Sequence, residues 1–291
     1  MARPELDPTS VPPPFVVDPT SAHTHSLILL HGVGSNGEKF GRELLDTGAT
    51  SDGLTLTQFL PNARFIFPTS RRHRSTAFGR SVLTQWFDIA RLSDSSHRKE
   101  LQLQGLAESA RDILELLRPE QEMSKIPRAN IVLGGLSQGC ATSLSVLLCL
   151  DYCIGGFVGI SGFLPFRDDI DEAVEEAVVD EDDPFSGGDD GEHQDPAKPD
   201  RESTAQSTPI FLGHGSADEK VPCSLGEAMA ATLEKADYKV ELKVCHGLGH
   251  WYKMPDEIDD IVEFLRSVVG WKVLSGDREI DSDYKGPSST I

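Results

Sequence analysis

The stretch Gly134–Ala141, "GGLSQGCA", decides the fold. "NIVLG" leads into it and "ATSLSVLLCL" runs out of it, a short apolar run that reads as a strand and a longer one that reads as a buried helix. At the junction Ser137 has Gly135 two residues before it and Gly139 two residues after. A serine hydroxyl becomes a nucleophile only when a base lies within hydrogen-bond reach and the oxygen faces open space. A sharp strand-to-helix turn projects the side chain in that way, and its crowding demands small residues at those two flanking positions. The helix opening at Gln138 would also turn its unpaired N–H groups and positive dipole end toward the serine. A plain glycine turn would give the same pentapeptide, so the strand before it and the helix after it carry the argument.

Outward from this elbow the same alternation repeats. "SLILLHG", "ARFIFP", "GFVGI", "PIFLGHG" and "KVELKV" read as further strands. Helices are expected over 38–47, stopped by Gly48, and over 101–118, where Leu106, Ala110, Ile113 and Leu117 recur at helical spacing. Others are expected over 138–150, 224–236 and 256–268. Strands alternating with helices predict an α/β fold, a mostly parallel sheet covered on both faces. Residues 1–25 read as a proline-rich extended arm, 26–270 as one domain, and 271–291 as a polar tail. Residues 69–85 read as a loop carrying Arg71, Arg72, Arg74 and Arg80.

The 291 residues carry a net charge of −20, which argues against nucleic acid as a partner. The charge is local: Asp168–Glu202 holds sixteen acidic and two basic residues, a net −14. The acidic insertion at 168–208 opens with "IDEAVEEAVV", which has the spacing of an amphipathic helix, and continues into a stretch poor in large apolar residues that reads as disordered. The segment reads first as a solvated surface insertion; the alternative is that it partly caps the site and pairs electrostatically with the Arg71–Arg80 loop. Five cysteines without C-x-x-C spacing form neither a disulfide framework nor a zinc site. No stretch has the length of a membrane span, and the N-terminus has no secretory h-region, which predicts a soluble protein of the cytoplasm or also the nucleus, without stable membrane insertion. No cofactor and no metal is expected.

A base and an orienting acid should follow the nucleophile in the order Ser, Asp, His, on loops past the carboxyl ends of later strands. Asp218 lies just past "PIFLGHG", and His250 past the last strand. His246, His214 and Glu219 compete, but His246 abuts its strand, His214 sits at a strand end, and Glu219 is one residue further from the strand. The loop "GVGSNG", Gly32–Gly37, matches a dinucleotide fingerprint, yet the next strand ends "FIFPTS" without the acid that would hold a ribose. It serves better as an oxyanion loop, with Val33 giving one N–H and Gln138, after the nucleophile, the other.

"LLHGVGSNG", "QWFDI", "NIVLGGLSQGCATSL", "SGFLPF", "GHGSADEKVP" and "GLGH" together resemble the acyl-protein thioesterases and related carboxylesterases and lysophospholipases of the α/β-hydrolase fold. The resemblance spans about residues 26–268, apart from the acidic insertion. It implies a Ser137, Asp218 and His250 triad, oxyanion donors at Val33 and Gln138, and an acyl pocket beside Trp86, Phe163 and Leu164. It implies a serine hydrolase that cleaves acyl thioesters or carboxylic esters through an acyl-enzyme, with an acylated protein, a lysophospholipid or a small ester as substrate. The alternatives are a carboxylesterase or lactone hydrolase acting on a small metabolite and, from another class, a binding module that has kept the pocket without the chemistry. The chain departs from the family pattern at Cys140, where a second glycine is usual, at Ser35–Asn36, and in the acidic insertion.

Overall fold

The strand holding Leu27–Leu30 is apolar at every position because both of its faces are covered: Leu27 and Leu29 point into one core cluster, Ile28 and Leu30 into the other. The computed structural model describes residues 11–181 and 204–272. The start of the proline-rich arm, residues 182–203 of the acidic insertion and the tail from 273 lie outside the described residues. In chain order the elements are β1 (Phe15–Val17), β2 (His25–Leu30), α1 (Gly37–Thr47), α2 (Leu56–Phe59), β3 (Ala63–Phe67), β4 (Arg72–Ser75), β5 (Ser81–Thr84) and α3 (Gln102–Glu122). They continue with β6 (Ile131–Leu136), α4 (Gln138–Leu148), β7 (Gly156–Ile160), α5 (Arg167–Glu181), β8 (Ile210–Gly215), α6 (Cys223–Lys235), β9 (Val240–Cys245) and α7 (Asp256–Glu263).

The central sheet runs β1-β3-β2-β6-β7-β8-β9, parallel throughout except β1, the α/β-hydrolase arrangement with helices on both faces. One core joins α3, α4 and α6 to the sheet and the other joins α1 and α7 to its opposite face. The chain leaves β2 toward β3 on one side and later builds β6 to β9 on the other. Such a reversal of strand order opens a crevice at the carboxyl ends of the strands. Ser137 follows β6 directly at that reversal, beside the end of β2.

The backbone at the elbow is tight. A methyl group on Gly135 would stand 2.5 Å from the Leu30 carbonyl oxygen, and one on Gly139 would stand 2.2 Å from the same oxygen. The demand for small residues therefore comes from the neighbouring strand as much as from the turn. Cys140 fills the space left by glycines opposite: a methyl group on Gly159 would lie 2.6 Å from its sulfur and one on Gly162 2.3 Å. A thiol stands where the family pattern has glycine because β7 and its exit carry none of the competing bulk.

Three elements differ from the sequence reading. Part of the arm is a strand, since β1 pairs with β3 in the register Phe15 to Phe67 and stacks its Phe15 ring 6.1 Å from Phe67. An edge position tolerates the prolines around it, which hid it. Residues 72–84 form a β4–β5 ribbon with Arg74 opposite Val82. Its largely exposed faces give no apolar alternation to read. Trp271, placed in the tail, is buried and donates its ring N–H to Ala129 O at 3.2 Å.

Glu257 is fully buried on α7. One of its carboxylate oxygens accepts the Lys253 N–H at 2.8 Å, while the other has no hydrogen-bond partner among the described residues and presses on Gly213 of β8. Burial pushes its pKa up to about 7. The proton is thus held more tightly in the folded chain than in the unfolded one. The associated stability is present below the unfolded carboxyl range and lost as pH rises through about 7. Glu257→Gln, which cannot ionise, should gain on the parent by about 2–3 kcal/mol between pH 5 and pH 8 in chemical unfolding; a gap that stays constant with pH would contradict this. Gly139→Ala should lower stability by about 1–3 kcal/mol, because the Leu30 carbonyl must move to admit a methyl group. An unchanged unfolding midpoint would contradict the close approach.

Candidate active site

Ser137 is the N-cap of α4, with φ 58° and ψ −121°. A non-glycine residue in this region stores strain of about 1–3 kcal/mol and persists only where its surroundings fix it. Here its N–H donates to Ile160 O of β7 at 2.8 Å, and the next turn of α4 begins with the Ala141 N–H on Ser137 O. The result lifts the hydroxyl off the sheet toward the crevice.

The structure brings His250 and Asp218 to it. His250 Nε2 lies 2.8 Å from Ser137 Oγ, and His250 Nδ1 lies 2.7 Å from Asp218 Oδ2. The N–H on Nδ1 donates to the carboxylate, which leaves the Nε2 lone pair to accept from the serine hydroxyl. Asp218 is held in turn: its Oδ1 accepts the N–H groups of Lys220 and Val221, each at 2.9 Å. Its side chain is fully buried, and that of His250 nearly so. Burial lowers the His250 pKa below its ordinary value, against the opposing pull of Asp218. The imidazole is therefore neutral at pH 7.

The competing residues fall elsewhere. His246 and Glu219 are exposed. His214 is buried in β8, donating to Val221 O at 2.9 Å, and serves the turn that carries Asp218. Cys140, next along α4, is sealed in the core with its pKa pushed up to about 12 by burial, so no thiolate competes with the serine.

The loop after β2 lies against Ser137. A methyl group on Gly32 would stand 3.3 Å from Ser137 Cβ and 3.9 Å from its oxygen. Val33, next in the chain, lines the same cavity as Ser137, and Gln138 opens α4 with one of the unpaired N–H groups of a helix start. The loop is fixed from three sides. Thr84 of β5 donates its hydroxyl to Ser35 O and accepts the Gly34 N–H on its carbonyl. His31 is buried, donates Nδ1–H to Gly32 O at 2.7 Å and accepts the Ser70 N–H on Nε2 at 3.1 Å. Burial drops its pKa to about 4, so it stays neutral and keeps that tautomer. Asn36 caps α1 by accepting the Lys39 N–H at 2.8 Å, a structural role for a residue of the glycine-rich loop.

A cavity of about 350 Å³ opens at Ser137 and His250, walled by Val33, Phe40, Phe78, Leu92 and Trp251 with Lys220 as a cation among them. The expected pocket residues are elsewhere. Trp86, Phe163 and Leu164 are buried in the core and do not line this cavity. The "QWFD" backbone is tied to the side chain of Gln138, which accepts the Trp86 N–H at 2.9 Å and donates to Phe87 O at 2.8 Å. That turns the Trp86 ring inward, where its N–H supports His31 O at 2.8 Å. Phe163 packs edge-on to Phe87, with ring centroids 6.3 Å apart. The walls that replace them were partly readable: Trp251 adjoins His250, and Phe40 lies one turn into the helix after the glycine loop. Phe78 and Leu92 had no such signal, being in segments without periodicity.

Of the two readings of the acidic helix, the cap over the site is the one the described residues do not fit. No described residue of α5 lines the cavity. Asp171 accepts from Thr232 of α6 at 2.9 Å, and Asp169 pairs with Lys99 at 2.5 Å. Arg71 pairs instead with Asp112 of α3 at 2.7 Å. The nearer cations on α6 and before α3 capture the first turns of α5.

Comparison with known proteins shows the family of the chain. The phospholipase/carboxylesterase family matches residues 12–180, which include the serine elbow, and the prolyl oligopeptidase family matches residues 99–271, which include Ser137, Asp218 and His250. Acyl-protein thioesterase 1 of Yarrowia lipolytica is 30% identical over 248 residues, covering 84% of this chain and 92% of its own. Acyl-protein thioesterase 1 of Gibberella zeae is 28% identical, covering 87% and 94%. The crystal structure of Zea mays acyl-protein thioesterase 2 superposes with a TM-score of 0.62 at 28% identity, over 88% of this chain and 99% of that one. No helix among the described residues is long and apolar enough to cross a membrane. The relatives align along nearly their whole length, and they agree with the first of the two family matches: the chain belongs to the phospholipase/carboxylesterase family of α/β-hydrolases and is a hydrolase of esters or thioesters.

Proposed function

We propose that the protein is an acyl-protein thioesterase that removes long acyl groups from cysteine thiols through a Ser137 acyl-enzyme. The supporting observation is the line of contacts from Asp218 through His250 to Ser137, at 2.7 and 2.8 Å, opening on an apolar-walled cavity. The relatives' name, acyl-protein thioesterase, supports this choice of substrate class.

In this reading Ser137 Oγ attacks the acyl carbon as its proton passes to His250 Nε2. The carbonyl oxygen becomes an oxyanion, met by the N–H groups of Val33 and Gln138. Asp218 keeps Nδ1 protonated and stabilises the imidazolium. The tetrahedral adduct collapses, the carbon–sulfur bond breaks, and the leaving sulfur takes the proton from Nε2. A water then gives its proton to His250 and attacks the acyl-enzyme. Ser137 recovers the proton, and the acid is released. An oxygen ester passes through the same steps, so a small carboxylic ester is the second substrate class.

The test is hydrolysis of an S-palmitoyl peptide and of a small nitrophenyl ester. Ser137→Ala should lower kcat/KM on both by at least about 10³-fold. A variant that keeps its activity would overturn the assignment, and a wild-type protein active on the nitrophenyl ester alone would favour the small-ester reading. The pH profile gives a separate check. Only neutral His250 accepts the serine proton, and burial lowers its pKa below the ordinary 6.5. Thus kcat/KM should be lost on the acid side with a midpoint below 6.5 and be level above neutrality. A midpoint above 6.5 would contradict the role given to His250.

A further inference from the structure

Two cavities meet at one side chain. The cavity at Ser137 counts Phe40 among its walls, and so does a second, internal space of about 20 Å³. The internal space lies in the core between α1, α7 and the sheet, walled by Leu27, Leu29, Leu44, Leu56, Val158 and Ile261. It has room for about one water, but no polar side chain lines it, and such a space stays dry. Phe40 is the residue these two cavities share.

The partition is rigid. Phe40 is buried in the first turn of α1 and stands edge-on to Phe67, with ring centroids 5.8 Å apart. The helix cannot slide back, because Gly37 at its start is pressed on the Phe67 carbonyl: a methyl group there would lie 2.0 Å from that oxygen. The ring therefore ends the open cavity on the side of α1.

The chemistry says what reaches that wall. The leaving sulfur takes its proton from His250 Nε2, so it departs on the side of His250, where Lys220 and Trp251 also stand. The carbonyl oxygen is taken by the amides of Val33 and Gln138. The apolar walls left to the acyl chain are Phe78, Leu92, Leu136 and Phe40, and of these Phe40 is the one that backs on the dry space. We propose that the acyl chain of the substrate ends against the Phe40 ring, so that Phe40 sets the longest chain accepted. This rests on the reading of Ser137 as the nucleophile. Shortening the side chain joins the cavity to the dry space behind it and lets further methylenes leave water, each gaining about fourfold in transition-state binding.

The experiment measures kcat/KM over a series of straight-chain acyl thioesters, from butanoyl to hexadecanoyl, on one uncharged small thiol. The readout is the ratio of long-chain to short-chain kcat/KM within each protein, which a general loss of stability does not move. Phe40→Ala should raise that ratio by about tenfold or more, the gain of about two buried methylenes, and Phe40→Trp should lower it. If Phe40→Ala does not fold, Phe40→Leu should move the ratio in the same direction by a smaller factor. A ratio unchanged in the folded truncation, with Ser137 still labelled by a fluorophosphonate, overturns the inference and leaves the serine reading standing. Failure of the wild-type protein to label at Ser137 removes both.

Discussion

The carbonyl oxygen of Leu30 passes between Gly135 and Gly139, and the rest of the site depends on that close approach. It lets β6 run tight against β2 and turn at once into α4. The turn forces Ser137 into a backbone conformation that side chains seldom adopt, and the surrounding sheet holds it there. A side chain on either glycine would part the two strands. It would also separate the serine from the Gly32–Val33 loop, since that loop is the direct continuation of β2.

The two halves of the site come from distant parts of the chain, and each is braced by groups that do not react. Asp218 is held by two backbone N–H groups and by the His214 turn, so its free oxygen points at His250. The Gly32–Val33 loop is braced by His31, which burial keeps neutral, and by the β4–β5 ribbon through Thr84. Gln138 has two duties. It opens α4 directly after Ser137, and its side chain grips the "QWFD" segment. Preorganisation of this kind is what makes donors effective toward a charge that exists only during the reaction.

Much of this was legible in the amino-acid sequence, for physical reasons that also mark where legibility ends. The inner parallel strands β2, β6, β7 and β8 are buried on both faces, so they stand out as apolar runs, and the elbow, Asp218 and His250 fall at fixed places relative to the sheet. Ser137, Asp218 and His250 lie within hydrogen-bond distance in series at the place the strand order implies. The three residues of β1 alternate inward and outward but are too few, among prolines, to stand out, and the polar β4–β5 ribbon buries no alternating apolar face. The pocket walls were misjudged for a related cause. Trp86, Phe163 and Leu164 are large and apolar in either role, and the Trp86 ring is held inward by the ties of its backbone to Gln138 and of its ring N–H to His31 O. The first turns of α5 could be read as a helix from their spacing. Their docking depended on Thr232, Lys235 and Lys99, far away in the chain.

The central claim is that contact with His250 makes one alcohol, Ser137, reactive toward acyl carbon. The most direct measurement is the site of covalent attachment of a fluorophosphonate, mapped by mass spectrometry of peptides from the intact protein. The account predicts a single adduct on the peptide that carries Ser137, formed far more slowly when His250 is replaced by alanine. An adduct on another residue, or one on Ser137 that forms at the same rate without the imidazole, would contradict it.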